Sequence, residues 1–314
     1  MLNMIKMDVY RMFRTKSMYV IWIILLASAL LTSFLSKIDY DAANKEWEKQ
    51  QAVESQADTD TDMQAADVVN AQDIEEQQAA DSNKEQLSQQ NTDNVNLGMS
   101  VELPTEPGKK VTVMDVFFSN AQGKFYALFL VIFAVMFATA DIKSGYIKNI
   151  GGQVSQRGML IVSRAAALAL FTAITFAGIF VFQAAANMLA FKCLVWGNWK
   201  EIIPYFLTEL MLHYAFVLIC MAIAVIIKNN VISMTLSVCL TMNIMSIVYA
   251  LIDYVGNRVG LHNFNIYKYT VTGRMAMLPM NAGRDDVVSS MCVAAVFIII
   301  MLSLSSYIFQ KRDI

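Results

Sequence analysis

Charged residues, histidine and proline are scarce in this chain of 314 residues. Charged residues make up 16% of it and apolar residues 56%, there are two histidines and four prolines, and the mean hydropathy is +0.46. Average soluble domains carry about 25% charged residues. The composition therefore argues against an ordinary soluble protein and indicates a membrane protein.

The sequence also lacks the signatures of common nucleotide-binding and hydrolytic sites. It contains no G-x-x-x-x-G-K-[ST], G-x-S-x-G or H-E-x-x-H segment. These segments carry phosphate binding, serine nucleophiles and zinc-dependent hydrolysis. We therefore predict that the chain is not an enzyme, has no catalytic residue, and holds no cofactor or metal of its own. No nucleic-acid partner is expected either.

The four cysteines do not form a disulfide scaffold. Cys220, Cys239 and Cys292 fall within apolar segments, and Cys193 lies at the edge of one. Their spacing matches no zinc or iron–sulfur pattern. We interpret these thiols as small apolar residues of the core.

Long apolar runs predict an all-α integral membrane protein with six transmembrane helices. A helix needs roughly 20 apolar residues to cross the hydrocarbon core of a bilayer. The predicted spans cover residues 18–35, 125–140, 165–190, 205–227, 231–252 and 287–309. Residues 1–17 precede the first span, and residues 36–124 form a large insertion between the first two.

Basic residues near the span ends predict that both chain ends face the cytoplasm. Lys and Arg are retained on the cytoplasmic side during insertion, and an N-in start gives the inner segments about twice the basic density of the outer ones. The inner set is Lys6, Arg11, Arg14, Lys16, Lys143, Lys148, Arg157, Arg164, Lys228, Lys311 and Arg312. We therefore predict an N-in, C-in topology.

The predicted extracellular insertion, residues 36–124, is acidic and polar. Eighteen Asp or Glu residues lie between Asp39 and Asp115, and no Gly or Pro occurs from Asp39 to Asn96. This composition cannot bury a core of its own, although Ala, Gln and Glu favour helix. Solvated helices and disorder both remain open, as do the roles of a spacer and of an acidic antenna for cationic peptides.

The end of the insertion leads into the second span through a turn and an apolar stretch. We expect residues 111–118 to lie on the outer interface, before the span begins at Phe125. Lys124 then stands at the membrane boundary. Its stem is expected to follow the helix and its ammonium group to reach the lipid headgroups.

The N-terminal residues predict a basic amphipathic helix on the inner leaflet, with an ordinary positively charged flank of the first span as the open alternative. An apolar face spans about 100° of a helical wheel, and basic residues occupy the other sides. The apolar face consists of Leu2, Ile5, Val9, Met12 and Phe13.

Polar side chains inside the predicted spans are candidates for a transport path. Glu209 and His213 are four residues apart and share one helix face, as do Gln183 and Asn187, while Asn243 lies near the middle of the fifth span. Polar groups are costly in lipid and mark either a water or ion path or hydrogen bonds between helices. For Glu209 and His213, both a coupling-proton site and an interfacial hydrogen-bonded pair stay open.

The loop between the second and third spans carries a recognisable pattern. It reads DIKSGYIKNIGGQVSQRGMLIVSR, from Asp141 to Arg164. This resembles the first cytoplasmic loop of type 2 ABC transporter permeases, the bacterial exporter family that includes bacitracin and lantibiotic self-protection subunits. The residues that carry the resemblance are Asp141, Gly145, Ile147, Lys148, Asn149, Ile150, Ser155, Arg157 and Arg164. The family more often has Glu at the position of Asp141 and Lys at that of Arg164.

The resemblance implies partners and a location. In that family the loop forms a short coupling helix that docks into a separate ATP-binding subunit, and a basic amphipathic helix precedes the first span. It therefore implies a cytoplasmic ABC ATP-binding subunit that uses the ATP, a second permease copy as homodimer or sister chain, and the bacterial cytoplasmic (plasma) membrane. It also implies helices that re-enter the membrane within residues 253–286. The acidic insertion is not general to the family, so the substrate is not identified.

These observations lead to one expected function and two alternatives. We expect the membrane-spanning permease subunit of an ATP-binding cassette exporter, moving an amphipathic or peptide substrate such as an antimicrobial peptide. The first alternative is an ion-coupled secondary carrier that uses Glu209 and His213. The second is a non-transporting membrane protein that shields or senses through its outer segment.

Overall fold

The computed structural model describes residues 2–63, 103–143, 158–242, 244–258 and 265–311. All regular secondary structure in these ranges is helical, which confirms the predicted all-α fold. The α-helices are α1 (Leu2–Arg14), α2 (Lys16–Met63), α3 (Val113–Gln122), α4 (Phe125–Lys143), α5 (Gly158–Phe191), α6 (Trp199–Ile227), α7 (Asn230–Thr241), α8 (Met245–Arg258), α9 (Val271–Met277) and α10 (Arg284–Gln310). A 3-10 helix, Ile266–Tyr269, precedes α9.

Four helices are each long and apolar enough to cross a membrane, namely α2, α5, α6 and α10. Two more crossings are made if α3 with α4, and α7 with α8, each count as one bent span; α3 and α4 meet at 55°. The described chain thus has four to six candidate spans. The first predicted span ends at residue 35, whereas α2 continues to Met63. The fifth is interrupted between Thr241 and Met245.

The chain divides into two compact units by its internal contacts. The larger includes the described residues of 1–37, 97–105 and 110–314, and the smaller those of 38–96 and 106–109. In the smaller unit a turn folds back on a helix. The Tyr40 hydroxyl donates to the carbonyl of Lys109, and the N–H of Gly108 donates to Oδ1 of Asn44 at 2.8 Å.

In the larger unit, α6 packs against α4, α5, α7, α9 and α10. Aromatic rings fill the space between its N-terminal half and the neighbouring helices. The ring centroid of Phe117, in α3, lies 5.5 Å from that of Phe176, 5.1 Å from that of Phe180 and 5.9 Å from that of Phe206. A short helix that was expected on the outer interface is therefore part of the core, because α3 buries apolar side chains on most of its surface.

Contacts at both ends of α5 show that it runs antiparallel to α4. Nη1 of Arg164 donates to the carbonyl of Ala138 at 3.3 Å, near the end of α4. Near the start of α4, the Tyr126 hydroxyl donates to Oε1 of Gln183 at 3.5 Å.

Helix α2 runs parallel to α5. Nε1 of Trp22 donates to Oγ1 of Thr175 at 2.9 Å, and further along both helices Nε2 of Gln183 donates to Oγ of Ser33 at 2.8 Å. These two bonds tie the first candidate span to the rest of the larger unit.

The start of α5 is a meeting point for both ends of the described chain. Ser163 of α5 donates a hydrogen bond to Asp8 of α1. Gly158, the first residue of α5, lies against Ser306 near the end of α10, since a Cβ atom on Gly158 would be 2.3 Å from its hydroxyl oxygen. Helix α1 and the end of α10 therefore lie at the same end of α5.

The buried face of α1 differs from the predicted apolar face. Asp8 and Met12 are buried, whereas Leu2 is 66% exposed and Phe13 is 37% exposed. Asp8 is buried because Ser163 satisfies its carboxylate. The exposed apolar residues remain available to a lipid surface.

Helices α6 and α7 are joined by two residues. Lys228 ends α6 in the left-handed region, with φ 61°, and its N–H donates to the carbonyl of Ala224. The side chain of Asn229 then accepts hydrogen bonds from the N–H groups of Val231 and Ile232 and caps α7.

The described part of the connection between α8 and α10, residues 265–283, folds into two short helices. The described part begins with the 3-10 helix Ile266–Tyr269 and continues as α9, which buries Val271 and Met275. Nε2 of Gln122, at the end of α3, donates to the carbonyl of Ala276 at 2.9 Å. Helix α9 therefore packs beside the α3–α4 break.

Candidate functional site

The break between α3 and α4 places a lysine in the protein interior. Gly123 ends α3, and Lys124 follows in the left-handed region with φ 58°. Lys124 is only 2% exposed. The expectation that its ammonium group reaches the headgroups is therefore wrong, because α3 and α4 meet inside the bundle and bury the residue between them.

The acidic residue whose charge acts on Lys124 is Glu209 of α6, without a hydrogen bond between the two side chains. Glu209 and His213 are fully buried, as their shared helix face requires. Nδ1 of His213 lies 2.8 Å from the backbone carbonyl oxygen of Glu209 and 3.1 Å from its Oε2. The carbonyl oxygen can only accept, so Nδ1 carries the hydrogen and donates it there.

The Nδ1 bond leaves the carboxylate without a hydrogen bond. Within the described ranges, neither carboxylate oxygen of Glu209 accepts one, and Nε2 of His213 and the hydroxyl of Tyr205 also have no partner. Tyr205 precedes Glu209 by one helical turn and interacts with it electrostatically. Polar atoms left unpaired in an apolar interior are costly, and four of them gather on this one face of α6, which makes it the candidate site.

Gln183 and Asn187 of α5 were predicted to line a transport path. They differ in their contacts with the group around Glu209. Gln183 is fully buried and joins it through Tyr126, whose ring lies 6.1 Å from that of Phe176. Asn187 is fully buried too, and among the described residues neither of its side-chain polar atoms has a hydrogen-bond partner. The ring of Phe176 lies 4.7 Å from that of His213 and closes the group on that side.

We call these residues the polar cluster: Lys124, Tyr126, Gln183, Tyr205, Glu209 and His213. The sequence predicted three of them and missed Lys124, Tyr126 and Tyr205. A signal for Tyr205 was present, because Tyr205, Glu209 and His213 recur at intervals of four residues along one stripe of α6. The cluster buries one basic and one acidic side chain, Lys124 and Glu209, and its unpaired oxygen and nitrogen atoms can accept a proton.

A second group of polar contacts lies at the opposite end of α5. Arg164 is 3% exposed and bonds to Ala138, Ser163 bonds to Asp8, and the guanidinium of Arg11 lies 5.4 Å from the ring centroid of Phe137. These contacts hold α1, the end of α4 and the start of α5 together. They form the base of the connection between α4 and α5.

Most residues of the family-like loop lie outside the part of the chain that the structure describes. This applies to Gly145, Ile147, Lys148, Asn149, Ile150, Ser155 and Arg157, and also to Asn243. Asp141 lies in the last turns of α4. Arg164 is the loop residue whose side-chain contacts the structure gives. In the described ranges, no group of three or more His, Cys, Asp or Glu side chains is placed to hold a metal ion.

A known family model matches most of the chain. Residues 86–314 match the model of the family described as protein of unknown function, DUF2705. The chain belongs to the DUF2705 family. The DUF2705 match includes α3 to α10 and every residue of the polar cluster, while α1 and α2 precede it. No curated protein matches the chain.

Proposed function

We propose that this DUF2705 chain is the membrane-spanning permease subunit of a bacterial ATP-binding cassette exporter in the cytoplasmic membrane. The observation that carries the proposal is the buried Arg164, which binds the carbonyl of Ala138 across the base of the family-like loop. The proposed topology has six spans, with α3–α4 and α7–α8 as bent ones and both chain ends inside.

A loop can transmit force only if its two ends are fixed to the helices that must move. Helix α4 ends at Lys143 and α5 begins at Gly158, so residues 144–157 join two candidate spans directly. The Arg164 hydrogen bond fixes the two helices to each other just beyond the loop. A partner that moves the loop would therefore move both helices together.

The N-terminal helix strengthens the same base. Asp8 accepts from Ser163, and Arg11 covers the ring of Phe137, so α1 is attached to both α4 and α5. This fits the family resemblance, which implies a basic amphipathic helix next to the coupling loop. Leu2 and Phe13 are exposed beside the basic side chains of Lys6 and Arg14, as a helix at a lipid surface requires.

The arrangement of the chain ends supports an even number of crossings. Helix α1 and the end of α10 both lie at the start of α5, through Asp8 and Ser306. The short helices before α10 support the expected re-entrant segment, because Val271 and Met275 are buried in the bundle.

An apolar groove supports an amphipathic or peptide substrate. It opens between α2 and α5, has a volume of about 390 Å³, and is lined by Trp22, Leu25, Leu26, Ile174, Ile179 and Phe182 among others. A groove of this chemistry admits apolar side chains or acyl chains from the bilayer.

The partner is tested by changing the loop. Replacing Ile147 and Ile150 by Asp should abolish co-purification of a soluble ATP-binding subunit, because burying an isoleucine contributes about 1.5–3 kcal/mol. The matched control replaces both by Val, which keeps the apolar surface and should retain the subunit. Equal recovery of the ATPase with the Asp and Val variants would remove the coupling-loop assignment.

The polar cluster favours a second candidate, an ion-coupled carrier using Glu209 and His213. An acid and a histidine that are both fully buried in a candidate span are typical of proton relays in membrane proteins. Substrate transport that stops when the proton gradient is dissipated, with ATP still present, would favour the carrier over the exporter.

A further inference from the structure

We propose that the pocket between α9 and the start of α10 binds the phosphate group of an anionic phospholipid at the membrane boundary. The side chains of Lys268 and Arg274 contact the phosphate oxygens, and the buried hydroxyl of Ser290 is a third donor to them. This inference goes beyond the proposed exporter function, because it requires only that α10 crosses the membrane.

The lining of the pocket suits one negative charge. The pocket has a volume of about 140 Å³, and its polar lining consists of Lys268, Arg274, Asp286 and Ser290. Two positive side chains and one negative side chain give this lining a net charge of +1. A phosphodiester group carries one negative charge, so an anionic lipid compensates the lining, whereas a zwitterionic headgroup does not.

The guanidinium group of Arg274 is held in place from two sides. Its Nε donates to the carbonyl oxygen of Lys268 at 2.6 Å, and its Nη2 donates to Oγ of Ser289 at 2.5 Å. These bonds use two of its five N–H groups. The guanidinium is therefore fixed between the 3-10 helix and α10, and its other N–H groups can donate to phosphate oxygens in a planar arrangement that suits them.

Ser290 is the residue that points most directly to a ligand. It is fully buried and lines the pocket, and within the described chain its Oγ has no hydrogen-bond partner. A buried hydroxyl without a partner is costly, and such groups are normally paired. A phosphate oxygen in the pocket accepts the hydrogen bond that the Ser290 hydroxyl can donate.

The pocket lies where α10 changes from charged to apolar residues. Arg284, Asp285 and Asp286 begin the helix, and the next charged residue in the sequence is Lys311. Ser290 follows Asp286 by four residues, which is about 6 Å along the helix. In a helix that crosses a bilayer, such a change marks the border between the headgroups and the hydrocarbon core. The phosphate groups of lipids lie at this border.

Apolar surface beside the pocket favours a lipid over a free phosphate ion. Met277 lines the pocket and is 50% exposed, and Val288 in the second turn of α10 is 59% exposed. Both side chains can pack against the acyl chain of a lipid whose phosphate lies in the pocket. A free phosphate ion has no apolar part to cover them.

The proposal is tested by titrating lipid onto the delipidated full chain in detergent. Native mass spectrometry gives the dissociation constant of the first bound phosphatidylglycerol, which is an anionic phospholipid. Ser290→Ala should weaken this binding by about tenfold, because it removes a hydrogen bond to a charged group. Lys268→Gln should weaken it roughly fivefold, the factor expected for one basic residue near an anionic membrane surface. Unchanged binding in both variants would overturn the proposal.

Two controls separate the site from general effects. Lys200→Gln removes an exposed lysine in the first turn of α6, outside the pocket, and should leave the dissociation constant unchanged. Equal weakening by Lys200→Gln and Lys268→Gln would contradict the proposal. Ser290→Ala should keep the melting temperature of the lipid-free chain, because its hydroxyl has no partner to lose among the described residues. A lower melting temperature would assign Ser290 a structural role instead.

Two further ligands identify the source of the phosphate. Phosphatidylcholine carries the same phosphodiester but is zwitterionic, so it should bind more weakly than phosphatidylglycerol. Excess inorganic phosphate should not displace phosphatidylglycerol, because it lacks acyl chains. Equal affinity for the two lipids would overturn the assignment of an anionic lipid. Displacement by inorganic phosphate would overturn the lipid as the source and assign the site to the free ion.

Discussion

Gly273 packs directly against the backbone of Tyr267. A Cβ atom on Gly273 would lie 2.3 Å from the carbonyl oxygen and 2.6 Å from the Cα atom of Tyr267. These are backbone atoms, so no rotation of a side chain relieves the overlap. The contact fixes the 3-10 helix onto α9 and makes glycine necessary at this position.

Gly273→Ala should destabilise the connection before α10. Overpacking of this kind costs about 1–3 kcal/mol, which lowers the melting temperature in a thermal-unfolding assay in detergent. The matched control is Gly178→Ala, where a Cβ atom meets nothing within 4 Å. This control should be neutral or slightly stabilising, because glycine inside a helix costs about 0.5–1 kcal/mol relative to alanine.

Arg164→Ala should loosen the base of the family-like loop. Loss of a hydrogen bond from a charged group costs about 1.5–3 kcal/mol, and the Ala138 carbonyl would lose its donor. Arg284→Ala, at the exposed first residue of α10, should change the melting temperature little. Equal melting temperatures for both variants would show that the Arg164 bond contributes nothing.

The position of α1 is checked by a disulfide. In a background without the four native cysteines, Asp8→Cys with Ser163→Cys should form a crosslink on mild oxidation, because the two side chains are in contact. Leu2→Cys with Ser163→Cys is the control, since Leu2 lies on the exposed face of α1. Crosslinking of the control pair alone would mean that α1 docks by another face.

The proposed orientation is checked by labelling intact cells. Ser88→Cys and Ser155→Cys, each in a cysteine-free background, lie in the acidic connection and in the family-like loop. A membrane-impermeant thiol reagent should modify only the cysteine at position 88. Modification at position 155 alone would reverse the proposed topology.

The sequence predicts where apolar helices occur because each of them is a continuous run of apolar residues. The predicted second span and α4 both begin at Phe125, and the last predicted span lies within α10. The sequence does not predict how far a helix continues beyond its apolar run. Helix α2, for example, continues to Met63. Good helix formers extend a helix without any hydrophobic signal.

The missed residues of the polar cluster have a different explanation. Glu209 and His213 were predicted together because their spacing follows from the helix itself. Lys124 and Glu209 lie far apart in the chain, and their burial in one cluster depends on how α3, α4 and α6 pack. Asp8 was missed for the same reason, because its partner Ser163 belongs to another helix.

The two-residue link between α6 and α7 constrains how these helices insert into a membrane. Three extended peptide units from Ile227 to Asn230 reach about 10 Å, whereas the hydrocarbon core is about 30 Å thick. The end of α6 and the start of α7 therefore cannot lie on opposite faces of a bilayer at any stage of biogenesis. If both helices cross, they form a hairpin whose closed end stays on one face of the membrane, and a charge change that inverts one of them must invert the other.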